Sequence, residues 1–238
     1  MRFISFSGIV DYEEARGYQL KLVEERARDL IPDTILFLEH APVITRGRGL
    51  QFTGKPGPRQ MPLPAKLPPE IQFCETERGG DLTYHGPGQL VIYPICKLDG
   101  SGFGPARDVG GFIRKLESVL IDVLAEDGLQ ATTRENATGV WVGDRKIVSV
   151  GIAVRKWVTY HGAAMNCVND MSPFRLISPC GFQSEVMANL TELLGRTAEN
   201  WREELEKRIV RKLTPLASQS AKQVQEFLSG RRVFPEIT

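Results

Sequence analysis

Six of the sixteen residues from Gly54 to Pro69 are proline, and two more are glycine. Proline fixes φ and has no amide hydrogen to donate, so this stretch can be neither a regular helix nor a central strand. It predicts a long surface loop, with the regular elements lying before and after it. From Ala41 to Pro69 no acidic residue occurs, whereas Arg46, Arg48, Lys55, Arg59 and Lys66 are basic. Two readings fit that run equally: a solvated loop, or a docking face for an acidic protein.

On the N-terminal side, residues 2–6 alternate as a first strand. Asp11 can cap a helix running to about Leu30, with Leu20, Val23, Ala27 and Leu30 on one face, and Pro32 stops it. Residues 34–40 and 42–47 read as strands. Beyond the proline-rich stretch, 71–77 predicts a strand and 88–98 a largely apolar, buried one. The clearest helix follows: Phe112, Ile113, Leu116, Val119, Leu120, Val123 and Leu124 keep the 3.6-residue period, and Gly128 is placed to end it. Segments 139–143, 146–158 and 161–168 predict three strands joined by tight turns such as Gly143-Asp144. A loop with Pro173 and Pro179 leads to Cys180, and helices near 197–213 and 220–229 close the chain. Strands and helices mix without regular βαβ alternation, so the fold class is α+β, helices packed on a mixed sheet. No repeat of fixed period occurs, although TYHG appears at both 83–86 and 159–162.

The 238 residues suit one large domain or two small ones, and a single domain over 1–238 is the expectation. A net charge of +1 supplies no general basic field, which argues against nucleic acid as a partner. No apolar run reaches membrane-spanning length, and the N-terminus carries no signal-peptide pattern, so the expected location is the cytoplasm. The four cysteines form no CxxC pair, and the three histidines are scattered along the chain, so no metal site is expected. In a reducing compartment the useful question is whether one thiol is reactive.

Cys180 lies in SPCGF. Pro179 restricts the backbone, and Gly181 permits a sharp turn with its amides open to a ligand. A free thiol is only about 3% thiolate at pH 7, so a nucleophilic role needs a base or cation beside it. Without one, a small buried hydrophobe is the alternative. Lys146 is the candidate partner, because it follows the hairpin turn expected at Gly143-Asp144 and enters an apolar strand. There it can take the thiol proton or hold the thiolate; a snorkelling lysine at a strand edge is the other reading. In RGGDLTYHGPGQ the glycines Gly79 and Gly80 permit close backbone approach, and their amides can bind an oxyanion. Arg78 can bind an anion, and His85 can donate to a carbonyl or shuttle a proton. A turn-rich structural loop explains that segment equally well. His161-Gly162-Ala163-Ala164 could floor an apolar channel or serve close sheet packing.

Taken together, these motifs resemble those of the lipoyl(octanoyl) transferases, the lipoate–protein transferase B family. RGGDLTYHGPGQLVIYPI, KIVSVGIAVRKWVTYHGAAMNCVNDMSPF and SPCGF match three family segments in order, over roughly residues 34–185. EHAPVITRGRG resembles a fourth. The 34 residues from Lys146 to Cys180 reproduce the family spacing. The resemblance implies an α+β fold like the catalytic domain of biotin and lipoate protein ligases. It implies octanoyl transfer from acyl carrier protein to a lysine of lipoyl domains, without a cofactor. The acceptors it implies are 2-oxoacid dehydrogenase E2 subunits and the glycine cleavage H protein. Cys180 would carry the acyl thioester, and Lys146 would lower its pKa. Arg78, Gly79, Gly80, Asp81, Leu82, Thr83, Tyr84 and His85 would line the acyl pocket, with Ser149, Val150, Gly151, Gly162, Ala163 and Ala164. Where the family usually carries a Thr-Ser pair after the cysteine, this chain has Met187 and Ala188.

Two other enzymes on such a fold are alternatives. An ATP-dependent lipoate–protein ligase would need ATP and no cysteine. An amidotransferase would move the acyl group between lipoyl domains and is distinguished by its donor. A non-catalytic binding protein is a third reading, which thiol reactivity tests.

Overall fold

The structure is a computed structural model that describes residues 1–50, 66–101, 103, 106–135, 137–177, 186–196 and 200–214. The chain begins with β1 (Arg2–Val10), α1 (Tyr12–Ala27) and β2 (Thr34–His40). β1 and β2 are parallel, with Arg2 opposite Thr34, and α1 makes the crossover. Asp11 caps α1 as expected, its carboxylate accepting from the amides of Glu13 and Glu14.

The helix stops at Ala27, and Leu30 is 69% exposed. Its buried face is Tyr12, Ala15, Gln19, Leu22, Val23 and Arg26; of the expected stripe Val23 is fully buried, Leu20 and Ala27 pack at the edge of the same core, and Leu30 is outside it. Two polar residues join the buried face because each has partners. Gln19 accepts from the His161 amide, and Arg26 binds Asp29 and Asp33.

Next come β3 (Val43–Leu50), β4 (Gln72–Glu75), β5 (Gly80–His85) and β6 (Gln89–Ile95). After α2 (Val109–Ala125), β7 (Ala131–Thr132), β8 (Gly139–Val142), β9 (Arg145–Arg155) and β10 (Val158–Asn166) run as a meander. A 3-10 turn (Ser172–Leu176), α3 (Leu190–Leu194) and α4 (Trp201–Leu213) follow. The large sheet has the order β1-β2-β6-β10-β9-β8-β7, mixed in direction; a small sheet has the order β4-β3-β5.

Every residue of β6 is buried, which explains its unbroken apolar run: it lies inside the large sheet between β2 and β10. Alternate residues feed two cores. Leu90 and Ile92 join Phe112, Leu116 and Leu120 of α2 and Ile209 of α4 on one face. Val91 and Tyr93 join Leu22 and Val23 of α1 on the other. A third cluster, with Ile44, Leu82, Tyr84, Phe174 and Met187, lies under the small sheet.

The single strand expected over 146–158 is interrupted by a two-residue turn at Lys156-Trp157. Both residues have positive φ, 53° and 60°. Hairpin turns of this kind usually use Asn-Gly, so the sequence carried no turn signal there. Contacts from outside the hairpin hold the turn: Lys156 binds Glu24, and Arg107 stacks on Trp157. The helix expected near 220–229 and most of the proline-rich stretch lie outside the described residues. No helix among the described residues is long and apolar enough to cross a membrane.

Candidate active site

A cleft opens between the small sheet and strands β6, β9 and β10 of the large sheet. The segment Arg78–Gly80 straps it. Gly151 of β9 lies under that strap, and a Cβ on it would be 2.9 Å from the Gly79 carbonyl and 3.2 Å from Arg78 Cδ. Its cross-strand partner Gly162 would bring a Cβ within 2.0 Å of the Ile92 carbonyl. These glycines therefore serve close packing, and Ala163 and Ala164 are among the residues that line the cleft.

Arg78 does not wait for an anion. Its guanidinium donates to the Thr45 hydroxyl and carbonyl and to the carbonyls of Gly79 and Asp81, tying β3 to the strap. All these acceptors are neutral, so its charge still acts on the cleft. The Gly79 amide, expected to face an oxyanion, donates to the Ile152 carbonyl at 3.0 Å.

The three histidines, far apart in sequence, gather around Tyr12. Ring centroids of His40, His85 and His161 lie 5.1, 6.0 and 6.5 Å from that of Tyr12. Burial pushes His40 down to about 4, His85 well below its usual value and His161 lower as well. All three are neutral at pH 7, and their partners assign the tautomers. His40 Nδ1 donates to the Val10 carbonyl, so Nε2 accepts from the Tyr93 hydroxyl at 2.8 Å. His85 Nδ1 donates to Gln89 Oε1 at 2.7 Å, which leaves Nε2 unprotonated. His161 Nε2 lies 3.4 Å from Glu77, whose carboxyl is held far below the usual range by His161 and by Arg16. His161 itself sits at φ 55°, a left-handed conformation unusual for its size, held where Gln19 takes its amide.

Lys146, 3% exposed, lines the opposite side of the cleft. Its ammonium lies 5.5 Å from the Trp141 ring centroid. Its carbonyl accepts from the Ala188 amide at 2.9 Å, beside a parallel bridge to Met187. The side chains of Met187 and Ala188 are buried, and their backbones make the polar contacts. The Met187 carbonyl accepts from Arg145, and the Ala188 carbonyl from Asn166. Asn166 in turn bonds Gln89, which links the Lys146 side to His85.

Of the residues expected to line an acyl pocket, Arg78, Gly79, Gly80, Thr83, His85, Ser149, Val150, Gly151, Gly162, Ala163 and Ala164 meet at this cleft with Lys146. Leu82 and Tyr84 do not. Strand alternation turns them into the third core, against Ile44 and Phe174. Asp81 is buried beside the strap and does not reach the cleft. Cys180 lies outside the described residues. Sequence reasoning missed Tyr12 and Tyr93; Tyr12, directly after the Asp11 cap, looks like an ordinary first-turn residue. Among the described residues no group of side chains could hold a metal ion.

The fold is that of lipoate–protein ligases. A lipoate-protein ligase A bound with ATP superposes with a TM-score of 0.61 at 14% identity, over 97% of this chain and 94% of that one. A bi-partite lipoate protein ligase from Thermoplasma acidophilum gives 0.59 at 14% identity, over 96% and 90%. The model of the lipoyl protein ligase A/B catalytic domain matches residues 11–214. The octanoyltransferase of Syntrophobacter fumaroxidans is 41% identical over 195 residues, 82% of each chain. That of Geobacter metallireducens is 42% identical over 189 residues, 79% of this chain and 82% of that one. The chain belongs to the lipoyl protein ligase A/B catalytic-domain family and, within it, to the octanoyltransferases, which are acyltransferases.

Proposed function

We propose that this enzyme moves octanoyl from acyl carrier protein to a lysine of a lipoyl domain through a thioester on Cys180. One observation carries the reading most. A buried lysine lines a cleft that small apolar side chains also line, and its backbone binds Met187 and Ala188, shortly after Cys180. Cys180 thiolate attacks the donor carbonyl, and the carrier thiolate leaves and takes its proton from the Lys146 ammonium, which becomes the neutral amine. The amine of the acceptor lysine then attacks the acyl-enzyme. Cys180 thiolate leaves, and the amine proton passes to Lys146 or to the unprotonated Nε2 of His85. Arg78 and Lys146 give the cleft positive potential where negative charge develops, and the buried imidazoles add no competing charge. The thioester is already activated, so ATP is not required.

Incubation with octanoyl-charged carrier protein should add one octanoyl group to Cys180, located by peptide mass spectrometry. Adduct at another cysteine, or full turnover by Cys180→Ala, would overturn the thioester assignment. Transfer that occurs only when ATP and free acid are supplied would make the enzyme a ligase instead. Exchange of lipoyl-domain for carrier donors tests the amidotransferase reading in the same assay.

A further inference from the structure

α2 buries one carboxylate among its apolar residues. Glu117 falls between Ile113 and Leu120 on the core side of the helix and is 5% exposed. Burying a carboxylate is costly unless it is bonded and paired. Its Oε1 accepts from the Gly139 amide at 2.7 Å. Lys146 reaches the same glycine from the other side. A Cβ on Gly139 would sit 2.6 Å from Lys146 Cε and 3.3 Å from its Nζ. Gly139 has φ 132° and lies beside the irregularity that offsets β8 against β9 at Val140/Trp141. The missing side chain thus makes room for the lysine, and the amide of the same residue fixes the acid.

We propose that Glu117 is a positioning residue for Lys146: across Gly139 its carboxylate is the counter-charge that holds the lysine side chain in the cleft. The inference rests on Lys146 belonging to the active site. The neighbouring charges leave the pair distinct. Arg114, on α2 itself, is largely exposed and faces Asp108. From α4, Arg208, Arg211 and Lys212 bind Glu126 and Asp127, just past the C-terminal end of α2 and more than two helical turns from Glu117. Arg145, the neighbour of Lys146 on β9, pairs with Glu192 of α3. Arg78, His85, His161, Tyr12 and Tyr93 share the cleft with Lys146. Burial raises the Glu117 carboxyl above its ordinary value, and the Gly139 amide, Lys146 and Arg114 limit that rise.

A purely structural Glu117 would only satisfy the Gly139 amide, and Glu117→Gln keeps that acceptor while removing the charge. With lysine Cε labelled with carbon-13, the Lys146 resonance is assigned from its loss in Lys146→Met and followed against pH. In Glu117→Gln its midpoint should fall by about one pH unit, because the ammonium has lost its counter-charge. The Lys146-dependent limb of the pH–rate profile should move down with it. Because the coupling is reciprocal, Lys146→Met should raise the Glu117 midpoint, read from its labelled carboxyl carbon. Superimposable Lys146 titrations in the wild type and Glu117→Gln overturn the proposal. If Glu117→Gln does not fold, an unmoved Glu117 midpoint in Lys146→Met overturns it instead. Full turnover by Lys146→Met would remove the lysine from the reaction without touching the titration result, so the two failures are distinguishable.

Discussion

The rings of Tyr12 and His85 stack within the cleft, 14° from parallel with centroids 6.0 Å apart. One comes from the first turn of α1 and the other from the end of β5 in the small sheet. Their contact joins the two sheets, and it closes His40, His85 and His161 into one buried group. The stack helps keep His85 out of water, and burial holds its imidazole neutral.

That burial makes the fold acid-sensitive. Each imidazole titrates lower in the folded chain than its usual value near 6.5, and His40 falls to about 4. The unfolded chain therefore binds more protons below pH 6.5. Stability is full above that pH and declines as pH falls toward 4, by up to about 1.4 kcal/mol per pH unit for each histidine. Glu77, with its carboxyl held low, adds a further loss only below the ordinary carboxylate range. Urea unfolding at pH 7.5, 6 and 5 should show the decline. Equal unfolding free energies at pH 7.5 and 5 would contradict neutral, buried imidazoles.

Gly139→Ala should damage the site more than the fold. The added methyl would meet the Val148 carbonyl at 2.3 Å and Lys146 Cε at 2.6 Å, at a φ that alanine avoids. Roughly 1–3 kcal/mol of stability should be lost. At a temperature where the variant stays folded, octanoyl transfer should fall at least tenfold, because Lys146 is pushed from its place. Thermal melts and transfer assays on one preparation separate the two effects; wild-type turnover by the variant would refute the claim.

Arg202→Met should weaken the fold without changing the chemistry. Arg202 binds Glu39 at 2.9 Å and Glu206 at 2.8 Å, and Glu206 is 1% exposed. Removing the cation leaves carboxylates in the core, at a cost of about 3–5 kcal/mol. Chemical denaturation reads the loss, and transfer well below the new melting temperature should match the wild type. A loss under 1 kcal/mol would show that the two acids find other compensation.

The basic run from Arg46 to Lys66 offers a test of carrier docking. Arg46 and Arg48 lie on β3, and Arg46 reaches over the Phe73 ring, 5.5 Å from its centroid. Reversing Arg46, Arg48 and Lys55 to glutamate should raise KM for carrier protein about tenfold or more. It should also flatten the salt dependence of kcat/KM, with kcat little changed. An unaltered KM would return the run to a solvated surface.

Much of the architecture was legible because it depends on local rules. The period of Phe112 to Leu124, the Asp11 cap and the unbroken apolar run of β6 each announce an element whose burial is repetitive. What failed did so where a distant partner overrides a local preference. Gln19 and Arg26 are buried on α1 because His161 and Asp33 receive them. Lys156 and Trp157 turn without glycine because Glu24 and Arg107 hold them. Glu117 did leave a trace, a lone acid on the apolar face of α2. Its meaning needed Gly139 from another strand.

Order along the chain by itself determined the elements and the spacing of the motif residues, because capping, periodicity and turn chemistry act over a few neighbours. Tertiary structure alone decided which side chains share the cleft. It turned Leu82 and Tyr84 away, took the Gly79 amide for Ile152 and drew three separated histidines around one tyrosine. The reason is physical: desolvation and pairing arise only once the two sheets close over each other, and no local stretch of sequence holds both partners.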